Sequence, residues 1–169
     1  MTVFIGLLRA VNVGGRKLAM ADLKAIAEQL GFEKPRTFIA SGNLLFASSK
    51  KESDVSRLLE DRLREHMGAE VPVMVRTASE IADVSKANPF ADKPPSKVAA
   101  IFFEKAPPKD IVEQARGIDH EELALGTREI YVHYPSGMGR SKLRLPKPFG
   151  TARNMNTVAK LAQLAKEIE

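Results

Sequence analysis

The chain has 169 residues, 44% of them hydrophobic and 28% charged, the composition of a globular protein made of one domain or of two small ones sharing a core. It contains no cysteine, which excludes disulfides, thiolate nucleophiles and cysteine-ligated zinc or iron–sulfur centres, and a reducing, cytoplasmic setting is expected. A net charge of +5 favours anionic partners over cationic ones.

The N-terminal VFIGLLRA reads as a buried strand. Its apolar stretch is too short for a bilayer and no basic segment precedes it, so neither a signal peptide nor a membrane span is expected. MADLKAIAEQLGF follows as a helix with Met20, Leu23, Ala27 and Leu30 on one face and Gly31 as its stop. RTFIA and NLLFA are short strand candidates on either side of a Ser41-Gly42-Asn43 turn. In SDVSRLLEDRLREHMG the stripe Val55, Leu59, Leu63 and Met67 predicts a second helix ending at Gly68, and VPVMVR alternates as a strand. The first half therefore reads βαββαβ, over residues 1–76.

Thr77 and Glu80 have the spacing of a capping box, which predicts a short helix that stops before Pro89. A connector rich in Pro and Lys, NPFADKPPSK, leads into strand VAAIFF, helix PKDIVEQARG, and strands EELAL and EIYVHY around Gly126-Thr127. The basic loop PSGMGRSKLRLPKPFG and a final helix opening on GTARNMNTVAKL complete the chain. This half, residues 77–169, again reads as βαββα. The expected class is α+β, two ferredoxin-like halves consistent with an internal duplication.

Charge is unevenly distributed. No Asp or Glu falls between Glu129 and Glu167, whereas Arg140, Lys142, Arg144, Lys147, Arg153, Lys160 and Lys166 all do. A helix N-terminus carries unpaired N–H groups and about half a positive charge, so an acid in the first turn stabilises it by about 0.3–1 kcal/mol. Asp22, Glu52 with Asp54, Glu80 and Asp110 serve the four earlier predicted helices. The last has only Thr151, Asn154 or Asn156 as a cap and adds a cation, Arg153. Such a start is suited to phosphate, sulfate or carboxylate. The candidate anion site is Thr151, Arg153 and Asn154 with Arg140, Ser141 and Lys142, the glycines of GMGRSK letting backbone donors approach. The bland reading of the same residues is a capped helix beside a solvated basic face. Arg9, Asn12, Gly14 and Gly15 form a second acid-free loop, read either as part of the anion pocket or as plain turn chemistry.

LLRAVNVGG, the SGN turn, HYPSGMGRSKL and TARNMNTVAKL, in this order and at these separations, resemble the domain-of-unknown-function 1697 family of small bacterial proteins. The resemblance runs over essentially the whole chain. It implies an α+β fold of two ferredoxin-like halves and no assigned activity, so no catalytic residue is carried over. Ala10 stands where glycine is usual, and Met155 where an aromatic residue is expected. The latter removes a flat face for stacking on a base or ring.

Other chemistries find little support. His66, His120 and His133 lack zinc-site spacing, and neither HExxH nor GxSxG occurs. No cofactor is specified by any motif and no metal is expected; His133, read as a half-exposed strand histidine, is the one acid–base candidate near the basic loop. The expected partner is an anionic small molecule or nucleotide. A nucleic-acid-binding module is the alternative, suggested by topology and charge but short of exposed aromatics. A homo-oligomeric or partner-binding protein without catalysis is the third reading.

Overall fold

The computed structural model describes residues 1–169. The elements run β1 (Thr2–Leu8), α1 (Met20–Gln29), β2 (Glu33–Thr37), β3 (Asn43–Ser48), α2 (Glu52–Met67), β4 (Val73–Thr77), α3 (Ala78–Lys86), β5 (Val98–Phe102), β6 (Glu122–Leu125), β7 (Glu129–His133), β8 (Thr151–Asn154) and α4 (Met155–Ile168). No helix is long and apolar enough to cross a membrane. The chain divides into two units, Met1–Ile81 with Leu161–Glu169, and Ala82–Lys160. The end of α4 thus belongs with the first unit, where Glu167 bridges Arg36 of β2 at 2.9 Å.

In the first unit the helices form where the period of apolar residues placed them. Leu23, Ile26 and Ala27 of α1 and Val55, Leu59 and Leu63 of α2 are buried, and they share a core with Phe4, Leu8, Leu44, Phe46, Val73 and Val75. Gly31 and Gly68, both at positive φ, end these helices as the sequence predicts, since glycine takes the left-handed conformation without a Cβ clash. The antiparallel sheet has the order β2-β3-β1-β4. Ile5 and Leu7 alternate with Phe4 and Leu8 along β1 and all four are buried, so this sheet is covered on both faces.

The second sheet repeats the arrangement, with antiparallel order β6-β7-β5-β8. In each sheet the first strand lies between the third and the fourth, with the second at the edge, which is the ferredoxin-like order. The β-to-α junctions match as well. Arg76-Thr77 closes β4 and Arg153-Asn154 closes β8, each running directly into a helix, and both arginines are buried, at 1% and 5% exposure. Thr77 Oγ1 accepts the Glu80 N–H at 3.2 Å while Glu80 returns a bond to the Thr77 N–H, a complete capping box. Asn154 Oδ1 accepts the Thr157 N–H at 2.9 Å in the same way. Asn154→Ala is therefore expected to cost about 1 kcal/mol in urea denaturation, with Thr77→Ala a comparable loss.

Three sequence expectations are corrected. Where a helix is expected over residues 108–117, residues 109–114 form successive turns and Arg116 bridges to Arg144. Ile111 is buried against the second sheet's core, and most of the local bonds span three residues, as in Ile111 N–H to Pro108 O and Glu113 N–H to Asp110 O. Two prolines and the adjacent β-branched Ile111 and Val112 leave too short a run to meet the cost of helix nucleation. β2 lies at Glu33–Thr37, ahead of the expected RTFIA: its pairing with β3 ends at Thr37 opposite Leu44, and the chain then turns away through Ile39 at φ 52. Finally, Thr151–Asn154 is a strand, paired with Ala99–Phe102 of β5, and the last helix begins only at Met155.

Candidate functional site in the basic loop

β6 and β7 are joined by a tight hairpin in which Gly126 N–H bonds Glu129 O at 2.7 Å. The Glu129 carboxylate braces it by accepting the N–H groups of Thr127 and Arg128 at 3.0 and 3.2 Å. The register pairs Glu122 with His133, which brings the acidic residues before β6 beside the basic loop that follows β7. There the chain turns at Gly137, with φ 88, its N–H bonded to Tyr134 O, makes one short helical turn over Met138–Arg140, and passes over Gly117. Arg116 and Arg144 exchange backbone bonds of 2.9 and 2.8 Å that hold the two segments together.

A cavity of about 270 Å³ opens between them, with Asp119, Glu121, Tyr134, Arg140, Ser141 and Lys142 in its lining. Ser141 Oγ donates to Glu121 Oε2 at 2.7 Å and accepts the Leu143 N–H at 3.1 Å, so its hydroxyl is committed on both sides. Glu121 is held below the ordinary carboxylate range, first by the Asp119 backbone N–H and then by the Ser141 hydroxyl. The Tyr134 phenol is pushed up to about 12 by burial and, to a lesser extent, by the charge of Glu121. The cavity therefore sets an ionised Glu121 carboxylate acceptor and a protonated Tyr134 phenol donor, at neutral pH, beside the basic side chains of Arg140 and Lys142.

Arg140, Ser141 and Lys142 are the members of the expected anion site that meet here. Thr151, Arg153 and Asn154 are not in the lining. They belong to β8, where Arg153 Nη1 donates to Thr151 Oγ1 at 2.6 Å and to Ala152 O at 2.9 Å. Burial alone pulls the Arg153 guanidinium down to about 10. Asn154 caps α4, so the acid-free helix start is met by a neutral side-chain acceptor. Met155 is buried and offers no exposed surface for stacking. His133 is buried rather than half-exposed, with Nδ1 3.4 Å from Glu122 Oε1 but outside hydrogen-bonding geometry.

The residues that sequence reasoning missed are Asp119 and Glu121. The signal was present: once EELAL and EIYVHY are paired across Gly126, Glu121 must fall opposite the start of the basic loop. The basic residues follow one another along the chain, whereas the hairpin brings acidic residues against them in space.

Arg9, Asn12, Gly14 and Gly15 lie in the first unit. Asn12 Nδ2 donates to Leu18 O at 3.0 Å and to Ala40 O at 2.6 Å, and its Oδ1 accepts the Leu18 N–H at 2.8 Å. Its side chain thus ties the loop after β1 to the loop before β3. Gly14 and Gly15, at φ 57 and 85, are the central pair of a tight hairpin between Val13 and Arg16, where two successive positive φ values call for glycine. Arg9 is half-buried, its own N–H bonded to Pro72 O.

The family model described as "Protein of unknown function (DUF1697)" matches residues 1–131, a span that includes LLRAVNVGG, the SGN turn and the acidic side of the cavity but stops short of the basic loop. Among solved structures, a conserved bacterial protein from Streptococcus pneumoniae is similar in fold, with a TM-score of 0.81 and 24% sequence identity over 98% of this chain and 99% of that one. No curated protein matches the chain. With more than half its length matched by that model, and the whole fold shared with the pneumococcal protein, the chain belongs to the DUF1697 family of proteins of unknown function.

Proposed function

We propose that the protein binds a small anionic molecule, a phosphorylated or carboxylated compound that also carries hydroxyl or amino groups, in the cavity of the basic loop. The observation that carries this reading is the convergence of Arg140 and Lys142 with Glu121 and Tyr134 on one cavity. The two cations receive the anionic group, and the Glu121 carboxylate accepts from a hydroxyl or ammonium group elsewhere on the ligand. A volume of about 270 Å³ is just below the 300–1,000 Å³ typical of sites for drug-sized ligands, which suits a sugar phosphate or a compact nucleotide. The carboxylates argue against a surface that tracks a nucleic-acid backbone, because they would face the phosphates unpaired. With the Ser141 hydroxyl committed and no histidine in the lining, the chemistry supported is recognition.

The test is a titration with inorganic phosphate, a hexose phosphate and a mononucleotide, followed by thermal shift and calorimetry. Arg140→Ala with Lys142→Ala is expected to weaken binding by about 10- to 100-fold, since a hydrogen bond to a charged group contributes about 1.5–3 kcal/mol. Glu121→Gln is expected to tighten the binding of sulfate, which carries no proton to donate to the carboxylate and is repelled by it. The sign follows from the lowered pKa: Glu121 is ionised at neutral pH, so in the unsubstituted protein the same gain appears only when pH falls through its depressed folded value. A shallow salt dependence accompanies a single-anion pocket, whereas a steep one would transfer the reading to nucleic acid. Absence of any thermal shift with all three probes sinks the proposal.

A further inference from the structure

β6 is one of the two edge strands of the second sheet, β8 being the other. Its hairpin to β7 is regular, with Gly126 N–H bonded to Glu129 O, so alternation directs the peptide groups of Glu122 and Ala124 toward β7 and those of Leu123 and Leu125 away from it. The outward N–H and C=O groups of Leu123 and Leu125 have no partner in the chain. The edge of the first sheet is guarded differently: β2 carries Pro35, which lacks an N–H, Lys34 at φ 50, and a register shift between Glu33 and Arg36. Those are the devices that prevent strands from adding at an edge. β6, although only four residues long, has none of these three features, and its Leu125 is 43% exposed.

We infer that β6 is a self-association edge whose occupant is the β6 of a second copy of this chain, paired antiparallel about a two-fold axis at Ala124. That centre sets Leu123 against the second copy's Leu125 and Leu125 against its Leu123. Both become hydrogen-bonded pairs, and all four open groups on each strand's outer side are used. Ala124 meets its own copy at the non-hydrogen-bonded position, where strands approach most closely and a small side chain fits. In this register Glu122 and Glu121 run alongside the uncharged Gly126 and Thr127 of the second copy, so neither carboxylate meets another acid. Leu123 and Leu125 share one face of β6, so pairing gathers four leucines and covers the exposed Leu125. The inference is independent of the anion-binding reading.

A four-residue strand pair buries little surface, so the dimer is weak, half-associated on the order of 100 µM. Sedimentation velocity over a concentration series reads this directly. Leu125→Pro removes an N–H that points away from β7, so it deletes no bond within the chain. It is expected to weaken association by more than about tenfold with far-UV circular dichroism retained. Leu125→Lys, which places a charge on the edge, has the same expected effect and serves if the proline variant does not fold. A protein that stays monomeric throughout the series overturns the inference and leaves the edge to an extended segment of another protein. Undiminished association of both variants overturns it equally.

Discussion

Gly117→Ala is expected to lower the melting temperature by roughly 6–12 °C, the equivalent of about 3 kcal/mol for a chain of this length, and to abolish the response to phosphate. Gly117 holds φ 71, and a Cβ there would overlap the carbonyl of Lys142, whose carbon would lie 2.9 Å away. The left-handed conformation alone costs an alanine about 1–2 kcal/mol. The remainder comes from backbone that cannot rotate out of the way, because the neighbouring Arg116 and Arg144 are bonded to each other on both sides. Relief requires the 141–144 segment to lift, which removes Lys142 and Ser141 from the cavity together. Gly137→Ala is the control. Its φ of 88 is comparable but nothing lies within 4 Å of the added carbon, so it is expected to lose only the conformational part. Calorimetry of the two variants separates strain from collision, and a Gly117→Ala protein no less stable than Gly137→Ala would refute the packing described for this loop.

Gly42→Ala is the counterpart in the first unit, with an expected loss of about 3 kcal/mol in urea denaturation. Gly42 has φ 93, and its added carbon would lie 2.7 Å from Val11 Cγ2 and 2.9 Å from Leu8 Cβ. Both neighbours are buried, and neither offers the free end of a flexible chain. The turn is further constrained because Asn43 Nδ2 bonds Phe38 O at 2.9 Å and Ser41 Oγ at 3.1 Å, while Ala40 O is held by Asn12. Gly14→Ala, at φ 57 with open space around it, is expected to cost only about 1–2 kcal/mol. Equal losses at Gly14 and Gly42 would remove the collision from the account. The contrast gives physical content to two stretches that carry the family resemblance: GG in LLRAVNVGG answers a turn's backbone, whereas the glycine of SGN answers both a backbone and a tight fit.

What was legible in the sequence was legible for local reasons. Leu23 and Ala27, or Val55, Leu59 and Leu63, report their helices because the spacing that defines the buried face lies within the helix itself. Thr77 and Glu80 report a cap because both partners lie within one turn. The hairpin at Gly126 was equally plain. β8 was not, since four residues of TARN show no period long enough to separate a strand from a helix start, and only Ala99–Phe102, some fifty residues earlier, makes them a strand. The same limit hides which basic residues meet in space. Arg153 is near Arg140 in sequence, yet alternation along β8 turns its side chain into buried surroundings while Arg140 stays at the cavity.

By itself the sequence determined the α+β class, the two similar halves, the first three helices with their stops, and a segment rich in basic residues. The tertiary structure decided what that segment faces: hairpin register brings Glu121 and Asp119 to Arg140 and Lys142, and pairing with β5 takes Arg153 away. The physical reason is that helix periodicity and capping are settled by residues within a few positions of one another. The partners of a charge or of an edge strand are settled by chain crossings that no local pattern records.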